Sequence, residues 1–235
     1  MRKMLTLVVA SSICAIAPVA EANVFDNAIR AAARVIARHK GDRIFHSAGQ
    51  AYHATVRTRS GTYPGIVRLS RGTNTMNILG LAVKVKGPVD QDFLLVTARS
   101  DHGILARVPT RRTNFADNTF SSLTSFERDS MTSVVTARTP HDMNFDHGGT
   151  AANASETPAF QLRMPVPGAG GREFQNLGWV EVHADQPLSA KESAGLRFTP
   201  ANDGAHIYPV GIINRIRRSV YEGSVEGRTQ AQNRS

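Results

Sequence analysis

Three short clusters between Arg43 and Lys84 carry the residue types from which a chemical site could be built. Arg43-Ile44-Phe45-His46 sets a guanidinium and an imidazole three residues apart, and Ser47-Ala48-Gly49 follows at once. A guanidinium binds anions through paired N–H donors, and an imidazole exchanges protons near neutral pH. In Val67-Arg68-Leu69-Ser70 the two-residue period of a strand puts Arg68 and Ser70 on the same face. Gly80-Leu81-Ala82-Val83-Lys84 is apolar and small enough to lie beneath a flat ligand. Together the clusters predict one buried pocket that binds an anion and handles protons.

A fourth cluster lies near the C-terminus. No proline interrupts Ile212 to Arg228, and the stretch predicts a helix that closes the domain. On it Arg217 precedes Tyr221 by four residues and Arg228 follows by seven, so the three share a face. Taken alone, they would be surface cations around a partly buried aromatic; their weight comes from the clusters upstream.

The elements that must position these groups can be read from the rest of the chain. Met1–Ala22 begins with Arg2 and Lys3, continues through an apolar core from Leu5 to Val19 and ends in Ala20-Glu21-Ala22, the pattern of a removable export signal. Broken by Ser11, Ser12 and Pro18, that core falls short of the about 20 apolar residues a membrane-spanning helix needs, so no span is expected. Cleavage leaves residues 23–235, a 213-residue chain for the periplasm or the exterior, and removes the sole cysteine, Cys14, so no disulfide is available. A chain of that size can bury about 70% of its unfolded surface as one domain. Its net charge of +9 becomes +8 once Arg2, Lys3 and Glu21 are removed, but the cations are scattered and no basic run is interleaved with aromatics. A nucleic-acid partner is therefore not expected, and most of the arginines read as solvated surface.

Phe25 to His39 has the apolar spacing of an amphipathic helix and Gly41-Asp42 ends it. Strands are then predicted over Ala51–Arg59, Gly65–Ser70, Leu79–Val85 and Asp92–Thr97, a mixed and largely helical middle over Thr110–Asp129, and strands again over Pro158–Pro165 and Leu177–Ala184, with Gly168–Gly171 as a hairpin loop. Short strands punctuated by Gly, Pro and Asp imply an α+β domain, an antiparallel β-barrel with flanking helices.

The order and spacing of the clusters from Arg43 to Lys84 resemble the heme catalase superfamily. That resemblance implies heme b as cofactor, Arg43 and Arg68 on its propionates, His46 as distal acid and base, and Ser70 bonded to the histidine. It also implies Tyr221 as axial ligand of the heme iron, flanked by Arg217 and Arg228 at the family's offsets. A phenol ionises near pH 10, so a phenolate ligand at neutral pH depends on the metal's charge and on nearby cations, of which Arg217 is the natural one. The family's Asp-Thr pair is missing from this helix, a departure that resembles the small catalase-like proteins, as do Pro209-Val210-Gly211 and Asn214-Arg215 before Tyr221. The likeness covers about 43–97 and 209–228. After Asp92-Phe93-Leu94-Leu95-Val96 the family's peroxide-orienting asparagine is replaced by Thr97, whose hydroxyl is shorter and less fixed in direction.

The resemblance implies an exported heme-dependent catalase or peroxidase, weak in dismutation, acting on hydrogen peroxide or organic hydroperoxides as small-molecule substrates. Two alternatives share the fold: a binding module without turnover, and a lipid hydroperoxide isomerase or peroxidase. Outside the likeness, His141, Asp142, Asp146 and His147 in a Gly- and Asn-rich loop match no standard zinc spacing. His53 and His102 lack the ordered nucleophile and orienting partner of a hydrolase.

Overall fold

The computed structural model describes residues 48–72, 77–146, 149–152, 157–199, 202, 204 and 206–232. The segment expected to be an export signal, the helix expected over Phe25–His39, Arg43, His46 and His147 lie outside these residues.

Eight strands follow one another as β1 (Ala48–Thr58), β2 (Gly61–Arg71), β3 (Leu79–Val85), β4 (Gln91–Thr97), β5 (Thr119–Arg128), β6 (Met131–Arg138), β7 (Ala159–Pro165) and β8 (Phe174–Pro187). Each pairs antiparallel with the next, and β8 returns to β1, so the meander closes into a barrel with no free edge among these strands. Two-residue strand β9 (Tyr208–Pro209) adds to β5 beyond the short β4–β5 ladder. Among the described residues, helices are confined to α1 (Ala190–Gly195) and α2 (Ile212–Gln232), with a 3-10 turn at Ile104–Arg107. The described residues are thus mostly β, and the expected α+β character reduces to these helical pieces.

The helix expected over Thr110–Asp129 is absent: Thr119–Arg128 is a strand. Phe120, Leu123 and Phe126 mimic a helical spacing of three, but a bulge separates them. Residues 122–124 of β5 stand against residue 135 of β6, and Leu123 has φ 59°. The β5–β6 turn was equally illegible. Asp129 and Ser130 both take positive φ, 49° and 62°, the requirement of a two-residue primed turn that Asn-Gly would have announced. Ser130→Gly removes a left-handed penalty of about 1 kcal/mol, and is expected to raise the melting temperature by roughly 2–4 °C. An unchanged or lower midpoint in a thermal melt would show that Ser130 bears no strain.

Strand alternation sends one side-chain set inward. Tyr52, Leu69, Leu81, Phe93, Phe120, Phe160 and Val180 are all buried in the barrel core. Loop residues plug it as well: Phe115 stacks on Phe120 at 6.0 Å, and Phe145 meets Tyr52 edge-on at 5.3 Å. The Tyr52 hydroxyl donates to the carbonyl of Gly149 and accepts from the amide of Ala151, and burial raises its pKa.

The outward set of β1–β4 is covered in part by the segment that follows β8. Ser189 caps α1 through a reciprocal bond pair with Glu192, and Leu188, Leu196 and Phe198 pack on Ala51 and Ile66 as a second apolar cluster. Cross-strand neighbours Lys84 and Asp92 form a buried ion pair beneath it, with Lys84 Nζ 2.7 and 2.9 Å from the two carboxylate oxygens. The Thr199 amide and the Asn202 side-chain amide also donate to Asp92, at 2.8 and 3.0 Å. Burial raises the Asp92 pKa, and these donors oppose the rise.

Candidate functional site

In an antiparallel ladder, paired residues point to the same face. The register therefore assembles two outward rows across β1–β4. Gly49, Ser70, Gly80 and Val96 form one; Ala51, Arg68, Ala82 and Leu94 form the next. Four of these eight residues are Gly or Ala, so the side chains on this panel of the sheet are small, and the row of Ala51, Ala82 and Leu94 packs under Leu188, Leu196 and Phe198. A methyl group at Gly49 would stand 2.6 Å from the Ser70 Cβ, which keeps this corner free of a side chain. Arg68 rises from the panel with only 6% of its surface exposed. The Ser70 hydroxyl lies 3.4 Å from the carbonyl of Gly80, a weak bond at the limit of hydrogen-bonding distance. Two of the three upstream clusters thus meet on one surface, as their sequence spacing predicted.

Helix α2 is fixed beside the panel by polar struts. Arg217 donates through Nη1 to the Ser122 carbonyl and the Thr124 hydroxyl, both at 2.9 Å, and through Nη2 to the carbonyl of Leu94 at 3.3 Å. Ser122 and Thr124 belong to the β5 bulge, whose irregular backbone turns a carbonyl outward for the guanidinium. Leu94 is in the same row as Arg68 and two strands away, a separation of about 10 Å at normal strand spacing. One turn before Arg217, buried Asn214 donates to the carbonyls of Ser125 and Val210 at 2.6 and 2.9 Å. Tyr221 follows Arg217 by one helical turn on the same face and is half-buried; its hydroxyl bonds to none of the described residues. Arg217 therefore anchors the helix to the barrel rather than bonding the Tyr221 hydroxyl. Arg228 falls within α2, and its side chain lies outside what is described.

Thr97 stands apart from this surface. It pairs with Phe120 and shares the inward face of Phe93 and Leu95, fully buried. Its hydroxyl donates to the Thr110 carbonyl at 2.6 Å and accepts from the Leu79 amide at 3.3 Å. Strand parity makes this a correction: an odd-numbered β4 residue cannot share the outward face with Leu94 and Val96. The Thr97 hydroxyl thus faces the barrel interior and ties the 98–110 loop to the barrel rim.

The remaining titratable clusters are structural. His141 Nδ1 lies 2.7 Å from Asp117, which raises the histidine's pKa, and among the described residues no three His, Cys, Asp or Glu side chains are placed to hold a metal. His102 Nδ1 contacts both Asp101 and Ser100, so no hydroxyl sits on the far nitrogen as a relay to a nucleophile would require. Asp101 is also paired with Arg163, which lies over the Phe174 ring at 4.0 Å. Sequence reasoning missed the β5 bulge, the Lys84–Asp92 pair and Asn214 as an anchor; only Asn214, inside the Asn214-Arg215 pattern, carried a signal.

Comparison with solved structures finds a fungal catalase crystal structure that superposes with a TM-score of 0.57 at 8% identity, covering 82% of this chain and 60% of the catalase chain. The chain thus spans about three-fifths of that catalase, and the likeness establishes a catalase-like fold. No family model and no curated protein matches the sequence.

Proposed function

We propose that the protein holds a b-type heme against the outward panel of β1–β4 and acts on hydrogen peroxide or organic hydroperoxides after export to the periplasm or the exterior. One observation carries the reading: beside the Ala51, Ala82 and Leu94 row, which packs under Leu188, Leu196 and Phe198, the small residues Gly49, Ser70 and Gly80 lie next to buried Arg68, and Arg217 fastens the helix bearing Tyr221 to the same sheet. A flat macrocycle with two carboxylates fits such a surface. Arg68 is suited to a propionate through paired charge-assisted bonds, and Arg43, outside the described residues, is proposed for the second. Tyr221 would supply the axial phenolate, with Arg228 on the same helical face. Heme, when bound, supplies the iron redox chemistry of peroxide cleavage. His46 would take a proton from the near oxygen of the peroxide and deliver it to the departing one, with the Ser70 hydroxyl holding the imidazole. Because Thr97 is turned inward, no second side chain is assigned to orient peroxide opposite His46, which fits a weak dismutase that favours peroxidase turnover.

The test is spectroscopic. The mature chain, purified after expression with heme precursor or titrated with hemin, is expected to bind one equivalent and give the Soret band and high-spin ferric resonance of a tyrosinate complex. It should oxidise a phenolic donor with an organic hydroperoxide faster than it evolves oxygen from hydrogen peroxide. A chain that remains colourless with excess hemin sinks the proposal and leaves a catalase-fold binding module. Heme uptake without peroxide turnover would keep the cofactor and remove the enzyme.

A further inference from the structure

Among the described residues exposed large apolar side chains are few, and most of them fall in two segments. Ile104, Leu105 and Val108 line the 3-10 turn, while Tyr208, Ile212 and Ile213 lead into α2; Ile104 is 75% exposed and Ile213 59%. The two segments are distant in sequence but tied to the same β5 bulge. Arg107, in the turn, donates to the Leu123 carbonyl at 2.9 Å and the Ser125 hydroxyl at 2.8 Å. The Ser125 carbonyl in turn accepts from the Val210 amide and from Asn214. Both exposed apolar segments thus border the same bulge at Ser125, where such side chains are usually exposed singly.

The charge around that surface is one-sided. Residues 99–112 hold Arg99, Arg107, Arg111 and Arg112 against Asp101 alone. Residues 206–218 hold Arg215, Arg217 and Arg218 and no carboxylate. Glu127, paired with Tyr208 across β5 and β9, subtracts one. With Arg217 bonded into the sheet and Arg111 and Arg112 lining a separate pocket with Asp117, Arg99, Arg107, Arg215 and Arg218 stand against Asp101 and Glu127, and Asp101 is itself paired with Arg163, so the net charge of these segments is positive.

From the apolar surface and its cationic rim we infer that this face docks on an anionic lipid bilayer. Apolar side chains on short turns enter the headgroup boundary, and the surrounding arginines meet acidic headgroups, with each contribution insufficient alone. Among the described residues no helix is long and apolar enough to cross a membrane, so the attachment is peripheral and reversible. The inference goes beyond the heme reading and does not depend on it.

Co-sedimentation of the mature chain with vesicles tests it directly. Binding is expected to vesicles of equal phosphatidylcholine and phosphatidylglycerol in low salt, with pure phosphatidylcholine vesicles left free and high salt releasing the protein. The exposed pair Ile104→Ser and Ile213→Ser, with circular dichroism unchanged, should lower partitioning by about tenfold or more. Val89→Ser, exposed elsewhere, should leave it unchanged. Absence of binding, equal binding to the neutral vesicles, or full retention in the Ile104/Ile213 variant would each overturn the inference. So would a sedimentation-velocity dimer that the double variant dissolves, in a protein that ignores vesicles.

Discussion

Tyr221→Phe is expected to abolish the tyrosinate spectrum and weaken heme affinity on the order of a hundredfold, about 2.7 kcal/mol, while the melting temperature of the heme-free chain stays nearly unchanged. The substitution removes one phenolic oxygen and keeps the ring. That ring is half-buried on α2, and the helix is held to the barrel by Arg217 and Asn214 through four hydrogen bonds that do not involve Tyr221. Docking of the helix should survive, so loss of heme would report the ligand and not the fold. Arg217→Met is the informative partner. It leaves the phenol intact but strips the helix of its bonds to Ser122, Thr124 and Leu94. If Arg217 acts as an anchor, this variant loses both stability and heme; if it acts only beside the iron, stability stays. Hemin titrations and heat-induced unfolding of both variants distinguish the two roles. An unchanged spectrum in Tyr221→Phe would assign the axial ligand elsewhere, with Tyr208 and His206 next in line.

How much of this was legible in the sequence follows from the range over which each signal acts. The strands β1–β4, β7 and β8 could be read because alternation and turn residues are local. The face shared by Arg68 and Ser70 needed only the two-residue period, and the register placed Gly80 and Ala82 beside them. The helix at Ile212–Gln232 was likewise visible in an uninterrupted run without proline. What failed was non-local or irregular. The β5 bulge has no consensus, so Phe120, Leu123 and Phe126 imitated a helix, and the platform that receives both Arg107 and Arg217 stayed hidden. Thr97 was placed by its position after an apolar run, but parity with Phe93 and Leu95 turned it inward. The exposed apolar segments are the clearest case, because they lie about a hundred residues apart and are linked through the β5 bulge at Ser125.

Removing one member of the Lys84–Asp92 pair should destabilise the chain more than any exposed substitution, by about 3–5 kcal/mol. Both side chains are almost fully enclosed, at 10% and 0% exposure. Asp92→Ala leaves the Lys84 ammonium without its carboxylate in an apolar setting, with only the Phe198 face at 5.7 Å to meet it. It also strands the Thr199 amide and the Asn202 side chain, two of the links that fasten residues 196–202 over the outward face. Lys84→Met exposes Asp92 to the same burial with its backbone and amide donors still in place, so its penalty should be the smaller of the two. The pair need not contribute net stability over an apolar replacement. Lys84→Met combined with Asp92→Leu should recover at least half of the loss, since no buried charge remains. Urea unfolding of the two single variants and the double variant gives the coupling directly. Additive losses would mean that the ion pair and its donors act independently, and a double variant as unstable as Asp92→Ala would show that the bonds to Thr199 and Asn202, rather than the paired charges, hold this segment on the barrel.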